Sequence, residues 1–210
     1  MSTHCCAGPA GNNVDPLYRR ALWIALAVNA AMFLIEVSAG ALSGSAALLA
    51  DAVDSFGDAA NYGVSLAVLA LVPVWRSRAA LIKGCTMGAF GLFVLCKTAW
   101  NATIGTAPEP LTMGAVALLA LIANVSVAVM LYKYRGGDAN MRSVWLCSRN
   151  DAIGNIAVML AALGVFGTGS GWPDLAVAAT LGVLALIAAQ SVVRQSLLEL
   201  RSIHGHPQQS

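Results

Sequence analysis

Residues 43–58 read SGSAALLADAVDSFGD, which places Asp51, Asp54 and Asp58 within eight residues of an otherwise small and apolar run. What such a run means depends on its surroundings. The chain is 210 residues long, 58% hydrophobic and 10% charged, with a mean hydropathy of +0.72. Soluble domains carry charge on roughly a quarter of their residues, so this composition describes an integral membrane protein. The formal charge is +2, from 12 basic and 10 acidic residues. That balance gives no support to a nucleic-acid partner or a basic surface domain.

Outward from the aspartates, the chain divides into stretches of the roughly 20 apolar residues that cross a bilayer as a helix. Six are predicted: Leu17–Ala39, Ala46–Val72, Ala79–Asn101, Pro110–Tyr134, Met141–Phe166 and Trp172–Leu200. The segments between them, GALSGSA, IGTAPEP and GTGSGWP among them, carry turn-forming residues. Asp15 before Pro16 reads as an N-cap and first-turn proline opening the first span. The third span is the weakest, because Lys83 and Lys97 fall inside it and must snorkel to opposite surfaces. The expected fold is an all-α integral membrane protein: a transport-sized bundle over 17–200, with tails at 1–16 and 201–210.

In this scheme Arg19, Arg20, Arg76, Arg78, Lys83, Lys133, Arg135, Arg142, Arg194 and Arg201 share one side, and the other has Lys97 near a helix end. The positive-inside rule then puts both termini in the cytoplasm. The first 16 residues are polar and small, so the first helix rather than a signal peptide is expected to direct insertion. The location expected is the bacterial inner membrane, as a multi-pass protein. Cys5, Cys6, Cys85, Cys96 and Cys147 are an odd, scattered set, which argues against a disulfide framework.

Carboxylates in lipid each cost a few kcal/mol and by default face the bundle interior. Those within spans are Glu36, Asp51, Asp54, Asp58 and Asp151, with Asp174 at a helix end, where capping is the plainer reading. At about 100° per residue, Asp51, Asp54 and Asp58 fall within an arc of about 60°. On the fifth span Cys147, Asp151 and Asn155 follow one another at single-turn spacing. A rise of about 1.5 Å per residue puts Asp54 and Asp58 roughly 18 and 12 Å from the cytoplasmic edge, and Cys147 and Asp151 roughly 9 and 15 Å. Two helices that each offer donors four apart at one depth can close Asp54, Asp58, Cys147 and Asp151 around a single ion. Carboxylates with one thiolate suit Zn²⁺, with Cd²⁺ a close competitor, and waste the sulfur on Mg²⁺ or Ca²⁺. A metal-free proton relay and purely structural polar contacts are the alternatives these residues leave open.

The run AVNAAMFLIEVSAGALSGSAALLADAVDSFGD (27–58), together with CSRNDAIGN (147–155), resembles the cation diffusion facilitators, which export divalent metals in exchange for protons. The resemblance covers the whole membrane part and implies that family's six-helix transmembrane fold. Its members bind the ion between an acidic or histidine pair four apart on helix two and a histidine–aspartate pair four apart on helix five. Carried onto this chain, those positions are Asp54 with Asp58 and Cys147 with Asp151, the same four. Cysteine in place of histidine shifts the expected preference toward softer ions. The family's cytoplasmic metal-binding domain is expected to be missing, making this a short form whose homodimer would form through membrane faces. The stretch VPVWRSRAALIKG (72–84) lacks the acids and histidines of the family's accessory site, so none is expected there.

The function these readings give is efflux of a divalent cation, Zn²⁺ foremost and Cd²⁺ next, with Co²⁺, Ni²⁺ and Fe²⁺ admitted by the donors. Protons are the counter-ion, since four clustered anionic ligands need protons when no metal compensates them, and metal must displace those protons. Alternating access by rocking helices would complete the cycle. A metal-gated channel or membrane metal sensor would share the site without the coupling. Intramembrane proteolysis by paired aspartates fits the four-apart spacing and the cysteine poorly, so an enzyme is not expected.

Around this site Glu36, Asp51 and Asn155 are pathway candidates, each with an interhelical hydrogen bond as its plainer role. Asn29 and Asn124 read as interhelical hydrogen-bonding groups. Arg149 is expected to snorkel or to pair with a carboxylate such as Glu36. His4, Cys5 and Cys6 in one tail and His204 and His206 in the other carry donors able to capture metal. Cys85, Cys96 and the methionines read as packing. Gly40, Gly44, Gly57, Gly63, Gly84, Gly88 and Gly91 suit close helix approach, either within the chain or at a dimer seam.

Overall fold

A computed structural model describes residues 16–67, 73–105, 107–134 and 139–205. They form six helices: α1 Pro16–Ser43, α2 Ala46–Ala67, α3 Pro73–Ile104, α4 Pro110–Leu131, α5 Ala139–Thr168 and α6 Trp172–Gly205, with a short 3₁₀ turn Tyr132–Tyr134 after α4. Local chemistry sets several ends. Pro16, Pro73 and Pro110 each open a helix, where a missing N–H costs nothing. Glu109 caps α4, accepting from the N–H groups of Leu111 at 3.0 Å and Thr112 at 2.6 Å, and the bonds from Thr112 hold its carboxyl below the usual carboxylate range. Gly105 and Gly169 close α3 and α5 with positive φ of 72° and 63°, donating back to Asn101 and Val165, as left-handed C-caps do.

Five segments are long and apolar enough to cross a membrane: Pro16–Ser43, Ser77–Ile104, Pro110–Tyr134, Ser148–Thr168 and Trp172–Arg201. The third span, expected to be weakest, is among them. The one below that measure is α2, because its aspartates lower its hydropathy. Its position explains how it tolerates them. α2 packs against α1, α3, α5 and α6, and the run Ala46–Val53 is buried throughout. The most polar helix is therefore the central one, shielded by apolar neighbours whose outward faces carry Trp23, Leu34, Leu42, Trp100, Leu118, Leu163 and Phe166. The chain is an integral, multi-pass membrane protein.

At the end of the bundle away from the termini, five helix ends meet. Asp174, in the first turn of α6, is buried and accepts from Ser45 Oγ at 2.6 Å and from the N–H groups of Ala46 and Ala47 at 3.0 and 3.1 Å. Ser45 Oγ in turn accepts from Leu48 N–H at 3.1 Å. Asp174 is thus a cap, as expected, but of α2 rather than of its own helix. An anion at a helix N-terminus satisfies donors that have no partner within the helix. Asn101 Nδ2 donates to Gly44 O at 3.2 Å and Glu109 N–H to Ser43 O at 3.0 Å, so α3 and α4 hold the same turn.

Most of the glycines suited to close helix approach serve packing within the chain, whereas Gly44 does not: with a φ of 76° and nothing within 4 Å of an added Cβ, it makes the turn between α1 and α2. A Cβ at Gly84 would lie 2.8 Å from Val193, at Gly91 3.3 Å from Leu186, and at Gly88 3.6 Å from Ala189. Together with Gly182 against Leu95, they bring α3 and α6 together along their length, and Ser77 extends the seam by donating to Glu199 at 2.8 Å. Gly57 faces Met87 on α3 and Gly40 faces Leu49 on α2. Cys85 and Cys96 are exposed on the outer face of α3, not packed inside as expected, whereas Met32, Met87 and Met113 are core. Asn29 does not bridge helices through its amide nitrogen, which bonds Ala25 O of its own helix at 3.0 Å; the amide oxygens of Asn29 and Asn124 have no partner.

Candidate metal-binding site

The aspartate strip of α2 faces α5. The Asp58 and Asp151 carboxyls come within hydrogen-bonding range of each other. One turn toward the terminal end, Tyr62 donates its hydroxyl proton to Asp58 Oδ2 at 2.8 Å. Its oxygen lies 2.7 Å from Ser148 Oγ, and since the single phenolic proton is committed to Asp58, Ser148 is the donor there. Toward the other end, a side chain added at Gly154 would meet Asp51 Oδ1 at 4.0 Å. Facing residue numbers rise on α2 as they fall on α5, so the helices are antiparallel, with Asp58 level with Asp151 and Tyr62 level with Ser148.

Asp54 lies between these levels, within electrostatic range of Asp58 on one side and of Glu36 and Asp51 on the other. Glu36 enters from α1, fully buried. The Ser55 hydroxyl lies alongside it, yet neither Glu36 oxygen has a hydrogen-bond partner. Asp51 Oδ2, Asp151 Oδ2 and both amide atoms of Asn155 are likewise buried without a partner. Such groups are rare in folded proteins, because an unmade bond to a buried polar atom costs about 1–3 kcal/mol, more if it is charged. The interhelical hydrogen bonds weighed for Glu36 and Asn155 are not made. What the arrangement provides is a column of five acids and an amide with unused oxygen acceptors, and acids so placed need cations or protons to compensate them.

Of the four expected ligands, Asp54, Asp58 and Asp151 are drawn to one column. α5 carries the backbone of Cys147 one turn before Asp151, but its side chain lies outside the described residues. So do His4, Cys5, Cys6 and His206, and the side chain of His204. Among the described residues, no three histidine, cysteine, aspartate or glutamate side chains sit close enough to hold a metal.

Of two basic residues, Arg149 takes one of its expected alternatives and Lys83 departs from expectation. Arg149 does not pair with Glu36: it is exposed, its guanidinium 5.4 Å from the centre of the Trp145 ring and bonded to Asn150 Oδ1 at 3.3 Å, the snorkelling alternative. Lys83 does not snorkel. It is 8% exposed and donates to Asn61 Oδ1 on α2, close enough to act on the charge of Asp58. Gly84, Met87, Gly91, Val94, Thr98 and Asn101 are all buried, which marks the inward side of α3 and includes the position next to Lys83 and the one a turn beyond it; the sequence signal that could have found this side is the helical spacing of Gly84, Gly88 and Gly91.

A family profile described as the cation efflux transmembrane domain matches residues 22–201. The chain is 26% identical over 201 residues to the metal cation efflux system protein CzcD of Cupriavidus metallidurans, covering 90% of this chain and 62% of that protein. It is 29% identical over 207 residues to the zinc transporter ZitB of Escherichia coli K12, covering 91% and 64%. To the cadmium, cobalt and zinc/H(+)-K(+) antiporter of Bacillus subtilis it is 24% identical over 204 residues, covering 89% and 64%. The chain thus spans somewhat under two thirds of the length of these relatives. All three are bacterial, in keeping with an inner-membrane location, and their family is one of transporters rather than enzymes. Matched over most of its length by that transmembrane domain, the chain belongs to the cation efflux family, the cation diffusion facilitators.

Proposed function

We propose that this protein moves Zn²⁺, and Cd²⁺ less selectively, out of the cytoplasm in exchange for protons, with Asp54, Asp58, Cys147 and Asp151 as the metal ligands. The observation that carries this reading is the Asp58–Asp151 contact between the two central helices. Two carboxyls in hydrogen-bonding contact share a proton, and a divalent cation arriving between them replaces it. The names of the relatives, a zinc transporter and a cadmium, cobalt and zinc antiporter, support the same cargo. The thiolate of Cys147 would complete a borderline-soft donor set.

In this reading all six helices cross the bilayer, 17–200 form the transport domain, and both termini are cytoplasmic. Exposed Arg19, Arg20, Arg78, Arg194 and Arg201 would then lie at the cytoplasmic surface. The Tyr62 and Ser148 hydroxyls close the cytoplasmic side of the site, and the cycle requires that bond to open while α2 moves against α5. Asp51, Glu36 and Asn155 line the path on the other side. A homodimer would use lipid-facing apolar side chains, since the glycine faces of α3 are taken up by α6.

Zn²⁺ binding to purified protein in detergent tests the exchange. Calorimetry in buffers of different ionisation enthalpy is expected to show at least one proton released per ion bound. Zn²⁺ binding with no buffer dependence would remove the basis for exchange at this site.

A further inference from the structure

Lys83 is, among the described residues, the one buried basic side chain, and it points at a site read as one for cations. It projects from α3 toward α2, where its ammonium donates to Asn61 Oδ1. Asn61 lies three residues after Asp58, on the same face of α2. The approach is fixed on both sides of the lysine: Met87, one turn along α3, packs against Gly57 next to Asp58, and Gly84 is pressed against Val193 of α6. The groups facing Asp58 are therefore Asp151 and Ser148 with Tyr62 from α5 and α2, Asp54 along its own helix, and Lys83 from α3.

A buried lysine costs several kcal/mol unless it is paired, and Lys83 gives its ammonium to Asn61 inside the bundle rather than to water. An inward lysine makes sense as a charge the site uses. We propose that Lys83 is the resident counter-cation of the carboxylate column, a positioning residue that compensates Asp58 when metal is absent and repels the divalent ion when it is bound. The inference rests on the metal-binding reading above and adds a regulatory element to it: the fixed ammonium weakens metal binding at equilibrium so that the ion can leave. A unit charge opposing a divalent ion several ångströms away, in a protein interior, is worth about tenfold or more in affinity.

The test is equilibrium Zn²⁺ binding to purified full-length protein at one fixed pH, comparing wild type, Lys83→Gln, Lys83→Arg and Asp151→Asn. Lys83→Gln keeps a polar reach toward Asn61 without the charge, and is expected to bind Zn²⁺ about tenfold more tightly than wild type. Lys83→Arg keeps the charge and is expected to stay near wild type. If Lys83 only tied α3 to α2, Lys83→Gln would bind equally or more weakly. That result, with Asp151→Asn losing binding as expected, overturns this inference and leaves the site assignment standing. Wild-type protein that binds no Zn²⁺ overturns the site assignment and the inference with it.

Discussion

Asp151→Ala is expected to abolish metal transport, by at least about a hundredfold, the upper end of what losing even an outer partner of a metal ligand costs, and to leave the protein folded in the membrane. Asp58→Ala is expected to do the same. The reason lies in where the two residues sit. They face each other at one level of the antiparallel α2–α5 pair, so removing either takes one of four proposed ligands, and half of one helix's pair, from an ion bridging these helices. Stability is expected to change little, because five acids share the column and losing one relieves their mutual repulsion. Asp151→Asn separates the roles: it keeps a side chain able to donate to Asp58 but cannot contribute an anionic ligand. Full transport by Asp151→Ala, measured as metal flux per unit of folded protein, would remove this residue from the site.

Asp174→Ala is expected to have the opposite signature, a large loss of stability whose effect on transport follows from the loss of folded protein. Its carboxylate receives three bonds, from Ser45 Oγ and the N–H groups of Ala46 and Ala47. Alanine would strand buried donors at the start of α2, each at about 1–3 kcal/mol, with sharing of the loss bringing the sum to about 3 kcal/mol. The penalty falls on the helix that carries the ligands, because this cap fixes where α2 begins relative to α6. Thermal unfolding in detergent is the measurement, and Asp174→Asn, which keeps an acceptor oxygen, is expected to lie between alanine and wild type. A carboxylate used at the far mouth of the path would behave differently: Asp174→Asn would lose transport with unchanged unfolding.

Periodicity and composition carried the all-helical membrane fold and the grouping of the buried acids. The strip Asp51, Asp54, Asp58 is legible because a helix must hide three carboxylates on one side, and helical rise alone brings Asp58 and Asp151 to similar levels. What a single sequence does not contain is the identity of each helix's neighbour. Asp174 could be read as a cap, yet nothing in its own segment says that the helix it caps begins 128 residues earlier in the chain. The glycines of α3 announced a close contact without naming α6. Lys83 does not snorkel because it lies on the inward side of its helix, which the burial of Gly84 and Met87 reveals only once α2 and α6 are in place. For α2, average hydropathy underrates a central helix, since the lipid its polarity would offend is kept away by α1, α3, α5 and α6.

The central claim is that the acid column of α2 and α5 exchanges a divalent metal for protons. The most direct test is Zn²⁺ uptake by proteoliposomes with and without an imposed pH gradient, for wild type beside Asp151→Ala. The account predicts Zn²⁺ accumulation beyond equilibrium in wild-type vesicles only while the pH gradient is present, and none in Asp151→Ala vesicles. Zn²⁺ that merely runs down its own gradient in wild-type vesicles, whatever the pH difference, would contradict the account and describe a metal channel instead.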